Sequence, residues 1–125
     1  MKYPQTTKPE MLQRTKNFAL RVIKAVRALP RDSVSEVIGR QLLRSGTSVG
    51  ANYRASRRAK SPADFVNKLK IVEEECDESL YWLELLIDAG CLSKVKLSAL
   101  MQEANELLSI VVAALRTTRT RTMHS

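Results

Sequence analysis

The sequence predicts an all-α protein, an antiparallel up-down-up-down four-helix bundle, and three observations carry that prediction. Aromatics are sparse, only four glycines and four prolines fall in 125 residues, and Leu, Ala, Val, Glu, Lys and Arg dominate, which suits helices better than many short strands joined by turns. Apolar residues recur at spacings of three and four along four stretches. Short links with stop or capping residues separate the stretches, which makes neighbouring helices antiparallel. A chain of this length buries roughly two-thirds of its unfolded surface in a single domain.

The first helix spans about 10–29, where Met11, Phe18, Val22, Val26 and Leu29 form the stripe and Arg14, Arg21, Lys24 and Arg27 lie between them. Pro30 stops it, and Asp32 or Ser33 caps a second helix over about 33–60, with Val34, Ile38, Leu42 and Val49 on its stripe. Ser61 followed by Pro62 starts a third helix at about 63–89, carrying Phe65, Leu69, Val72, Cys76, Leu80, Leu83 and Leu86 until Gly90 ends it. Ser93 caps a fourth, about 94–116, with Leu97, Leu100, Ala104, Leu107, Val111 and Leu115. Ile110-Val111-Val112 would suit a strand, but the helical pattern continues on both sides. Residues 1–9 are expected to be flexible, and 117–125, without periodicity, to be a disordered basic tail.

Two segments are too apolar for an isolated bundle. Leu80 to Asp88 has only Glu84 and Asp88 as polar residues, and Leu107 to Leu115 only Ser109. Helices apolar around most of their circumference bury more than one face, so self-association is expected, with Tyr81, Trp82 and Leu85 at the interface.

Other classes lack their signals. No apolar h-region follows the N-terminal lysine and no stretch approaches the ~20 uncharged apolar residues of a membrane span, so the expectation is a cytoplasmic protein with no membrane partner. Cys76 and Cys91, separated along a helix rising ~1.5 Å per residue, are expected to stay reduced. With His124 as the only histidine, no metal is expected, and neither Ser or Cys nucleophiles nor an Arg and His ribonuclease pair has its base. The acidic run Glu73-Glu74-Glu75-Cys76-Asp77-Glu78 lacks the Glu-x-x-His partners of a bundle di-metal site. No cofactor or catalytic residue is assigned.

Gly39, Gly46 and Gly50, spaced seven and four, lie near one line on the second helix. Each costs a helix ~1 kcal/mol relative to alanine, and a packing groove that lets another helix approach closely supplies the compensation. A phosphate loop is the sharper reading of Ser45 to Asn52, but the lysine-Ser/Thr ending and the preceding strand are both missing. In a hairpin about Ser61, residues whose numbers sum to about 122 face one another. Arg44 then meets Glu78, Thr47 or Ser48 meets Glu75, and Asn52 joins a structural polar seam; an enzyme using Glu75, Glu78 and Asn52 is the remote alternative.

Charge is the strongest clue to a partner. Residues 1–60 carry fourteen Lys or Arg against three acids, and residues 61–125 carry seven against ten. Chain direction brings Lys2, Lys8, Arg14, Lys16, Arg54, Arg57, Arg58, Lys60, Lys68, Lys70, Arg116, Arg119 and Arg121 to one pole, opposed by Glu10 and Asp64. Such a pole attracts RNA or DNA through phosphates, while the lack of a base-reading set gives little sequence specificity.

The run from Leu42 to Leu86 resembles the signature region of the four-helix-bundle proteins encoded by some 23S ribosomal RNA intervening sequences. The resemblance rests on Ser45-Gly46, Ser48, Ala51-Asn52, the Arg57-Arg58 region, Asp64-Phe65, and the spacing of Glu75, Glu78 and Trp82-Leu83. With the flanking helices it covers roughly 10–115. It implies a homopentameric ring and extends to accessory proteins of diversity-generating retroelements, which bind a reverse transcriptase and nucleic acid. Arg54 departs from it, standing where an acidic residue is expected after the Asn. The function expected is a non-catalytic oligomeric module that contacts RNA or DNA, possible partner of a reverse transcriptase; the alternative is a protein-protein scaffold with no direct nucleic-acid role.

Overall fold

The computed structural model describes residues 8–124, with the side chains of residues 9–118. Four helices, α1 (Lys8–Arg27), α2 (Ser33–Ser56), α3 (Pro62–Asp88) and α4 (Lys94–His124), make up the fold. Each packs on its sequence neighbours, and α1 closes the square against α4 along its thinnest seam. Contacts down the α1–α2 seam run in opposite directions, from Gly39 beside Leu29 to Gly50 beside Thr15. Among the described residues the only regular elements are helices, and α1 and α2 run antiparallel.

Local chemistry sets the boundaries. Asp32 caps α2, its carboxylate accepting from the Ser35 amide at 2.9 Å and the Ser35 hydroxyl at 3.0 Å. Ser61 accepts from the Asp64 amide at 3.1 Å, and Asp64 accepts from the Lys60 amide at 3.1 Å, a reciprocal cap with Pro62 in the first turn. At the far end of α3, the Cys91 amide donates to the Leu86 carbonyl and the Gly90 amide to Ile87. This Schellman pairing needs a left-handed residue, supplied by Gly90 at φ 76°.

Several boundaries differ from the sequence expectation: α1 lies two residues earlier than 10–29, and the ends of α2 and α4 differ most. α2 stops at Ser56 rather than near residue 60, because Arg57 to Ala59 turn on three-residue hydrogen bonds ahead of the Ser61 cap. α4 continues to His124 rather than ending near 116 in a disordered tail. Nothing between Arg116 and His124 breaks a helix: there is no Pro or Gly, and Thr117 and Thr118 turn their hydroxyls back to the Ala113 and Ala114 carbonyls. At the other end, Lys8 and Pro9 already belong to α1, while the rest of the expected flexible segment, residues 1–7, lies outside the described residues.

The core centres on Phe18, Val22, Leu42, Val49, Val72, Leu83, Leu86 and Leu107, all fully buried. Burial keeps the Cys76 thiol protonated, with its pKa pushed up to about 12, helped by the nearby Glu75, Asp77 and Glu73 charges. Cys91 is also a free thiol and is part-exposed. The stretch Lys94–Thr118 is long and apolar enough to cross a bilayer by length and composition, which the sequence reading did not anticipate. In the bundle its stripe of Leu97, Leu100, Ala104, Leu107, Val111 and Leu115 packs into the core.

Candidate nucleic-acid interface

The glycine line sets the distance between α1 and α2. A Cβ on Gly46 would stand 2.8 Å from a Val22 methyl, one on Gly39 2.7 Å from the Leu29 side chain, and one on Gly50 3.3 Å from the Thr15 carbonyl oxygen. The helices approach closely there. Towards the α1 N-terminus a cleft of about 670 Å³ lies between their outer flanks, with Leu12, Ala19, Gly50 and Ala51 in its walls beside Pro9 and the polar Gln13 and Thr47. Lys16 from α1 and Arg54, Arg57 and Arg58 from the end of α2 rim it. All four side chains are exposed, and among the described residues none makes an ion pair. The C-terminal carbonyls of α2 favour cations nearby by ~0.3–1 kcal/mol each, a local reason for arginines there but not for a fourth cation on α1.

The other expected cations are distributed differently. Lys60 is exposed in the α2–α3 turn, Lys70 is exposed and Lys68 half-buried on α3, and Arg116 is exposed on α4; none lines the cleft. Lys2, and the side chains of Lys8, Arg119 and Arg121, lie outside the described residues. Arg14 does not join the expected pole. It points towards α4, where Nε donates to Glu103 at 2.7 Å and one terminal nitrogen to Glu103 at 2.8 Å and to Glu106 at 3.0 Å. The hydrogen bond it donates to Glu103 leads the effects that raise its pKa further. This guanidinium ties α1 to α4, its charge already matched by two carboxylates.

Cations also lie beyond the pole. Arg21 and Lys24 of α1 and Lys96 of α4 line a second, smaller cleft of about 350 Å³ beside Ala25, Ala28, Leu97 and Leu100. The sequence signal was present, since Arg21 and Lys24 share the basic side of α1, but their convergence with Lys96 depends on helix packing.

The polar seam between α2 and α3 is only partly the one expected. Arg44 pairs with Glu78 and, at 3.3 Å, with Glu75, and the Trp82 indole donates to Glu78 at 3.0 Å. Ser48 and Asn52 take no part: the Ser48 hydroxyl donates to the Arg44 carbonyl at 2.7 Å and the Asn52 amide to the Ser48 carbonyl at 2.9 Å. Mid-helix hydroxyls and amides find a carbonyl one turn back without needing a partner helix. The expected Thr47 contact fails for the same reason, its hydroxyl donating to Leu43 at 2.7 Å. Unforeseen is a fully buried hydroxyl pair, in which Ser79 lies 2.9 Å from Ser45. Beside the seam, Tyr81 is 53% exposed and meets the Trp82 ring edge-on at 4.9 Å, while Trp82 and Leu85 are half-buried.

Among the described residues no cluster of His, Cys, Asp or Glu is placed to hold a metal ion. The single histidine does stand on a helix, at the end of α4, although its side chain is not described. Fold and surface together define a small helical bundle with a cationic cleft between its first two helices. The chain belongs to the 23S rRNA-intervening sequence protein family, which matches residues 7–113. It is similar to the crystal structure of a protein of unknown function from the S23 ribosomal protein family of Bacteroides thetaiotaomicron, at 32% identity and a TM-score of 0.81, covering 87% of this chain and 97% of that one. No curated protein matches it.

Proposed function

We propose that the protein is a non-catalytic, self-associating module that holds RNA or DNA by its phosphates. The observation that supports this is the convergence of Lys16, Arg54, Arg57 and Arg58 on one cleft with no carboxylate paired to any of them among the described residues. Cations left in water at close quarters repel one another, and a polyanion relieves that repulsion while releasing its condensed counterions. Among the described residues no helix presents a base-reading set, so sequence specificity is low. The exposed Tyr81 and the half-buried Trp82 and Leu85 form the interface of a homo-oligomer, a pentamer on the family resemblance, and repetition of the cleft around a ring multiplies weak phosphate contacts into avidity. A module of this kind serves a nucleic-acid enzyme as an accessory, a reverse transcriptase being the partner the resemblance offers.

The test is a salt titration of binding to unrelated RNA and DNA strands. Four phosphate contacts per cleft predict that log K falls against log salt with a slope of about −3 per engaged protomer on single strands. Binding that ignores salt, or no binding at low salt, contradicts the proposal and favours a protein-protein scaffold.

A further inference from the structure

We infer that the α1–α2 cleft receives unpaired bases, so that the protein prefers single-stranded nucleic acid over duplex; this deepens the phosphate-binding reading and rests on it. A surface that only neutralises phosphates needs no concavity. Here the cations rim a hollow of about 670 Å³ whose mainly apolar walls, Pro9, Leu12, Ala19 and Ala51, also carry Gln13 and Thr47, within the ~300–1,000 Å³ of ligand pockets. Gly50 lies in that wall, where a Cβ would already meet the Thr15 carbonyl oxygen at 3.3 Å, so the close approach of the two helices shapes the hollow.

Charge and shape together select the occupant. A ligand with an apolar planar part and a phosphate a few ångströms away matches apolar walls beneath a cationic rim, and each nucleotide of a flexible strand has both. Duplex bases are paired and stacked, so a duplex can satisfy the rim but cannot fill the hollow. Arg54, Arg57 and Arg58 add planar guanidinium faces on which a splayed base stacks while neighbouring phosphates are bound. Among the described residues no aromatic ring lines the cleft, so stacking falls to these arginines and to the aliphatic side chains of the walls.

The experiment compares three fluorescent probes at one salt concentration: oligo(dT) of about 12 nucleotides, an abasic strand with the same phosphate count, and a duplex of the same length. One stacked base predicts that oligo(dT) binds about tenfold tighter than the abasic strand. Ala51→Leu, at an exposed helical position in the cleft wall, fills the hollow, and is expected to abolish that preference while leaving abasic and duplex binding unchanged. Leu12→Ala, on the facing wall, gives an independent reduction should the first variant misfold. Equal, salt-sensitive binding of oligo(dT) and abasic strands overturns the base site but leaves phosphate binding standing; no binding of any probe removes both. A preference that survives both substitutions places the bases elsewhere, and a change in oligomeric mass with Ala51→Leu assigns the cleft to a second copy; either result overturns the inference.

Discussion

Arg14 shows how a single side chain can be basic in sequence and structural in the fold. Its guanidinium reaches two carboxylates on α4, and the Arg14 and Glu103 side chains are 26% and 15% exposed. Removing the arginine leaves part-buried Glu103 without a partner, and Arg14→Ala is expected to destabilise the protein by ~1–2 kcal/mol in denaturant unfolding. The salt slope of nucleic-acid binding should stay the same, whereas a lost phosphate contact would reduce it by about one. No local pattern in the sequence reveals this tie, because its partners lie 89 and 92 positions away. Cys76 makes a second residue-scale prediction. Burial raises its pKa from 9.0 to about 12, so the thiol favours the folded state fully below about pH 9 and that contribution is lost as pH rises towards 12. In the native protein Cys76 should resist iodoacetamide at pH 8 while Cys91, part-exposed, is alkylated; equal labelling of both thiols would contradict the buried placement.

At the scale of elements, the glycine-bearing face of α2 determines how closely α1 can pack. Gly46→Ala places a methyl 2.8 Å from one Val22 methyl and 2.9 Å from the other, and Val22 is fully buried with nowhere to retreat. The expected loss is ~1–3 kcal/mol, despite the better helix propensity of alanine, read as a lower midpoint in urea. A neutral or stabilising outcome would mean that the helices are not held at this distance. The glycines were legible because a 3.6-residue period converts spacing directly into a shared face. The Arg44 pairing with Glu78 was legible because a short hairpin fixes register. Ser48 and Asn52 were misread because spacing gives the side of a helix but not the nearest acceptor, and at both positions a carbonyl one turn back takes the hydrogen bond. The end of α4 was missed for a different reason: Arg116 to His124 has no apolar stripe, yet lacks any residue that stops a helix already under way.

For the whole molecule, the uneven charge of the chain is only partly gathered at one end. The α1–α2 cleft collects four cations, the α1–α4 cleft collects Arg21, Lys24 and Lys96, and Arg14 is neutralised between them. Composition gives the excess charge; helix packing decides which cations share a cleft. If Tyr81 and Leu85 lie between protomers, Tyr81→Glu with Leu85→Glu should dissociate the oligomer in light scattering while the helical circular dichroism persists, and retained mass would place the interface elsewhere. The central claim is that the α1–α2 end is where polyanions bind. Its most direct measurement compares two triple variants in the salt titration, Arg54→Gln with Arg57→Gln and Arg58→Gln against Arg21→Gln with Lys24→Gln and Lys96→Gln. The account predicts that the first set flattens the slope by about two units and the second leaves it nearly unchanged; equal losses from both sets would contradict it.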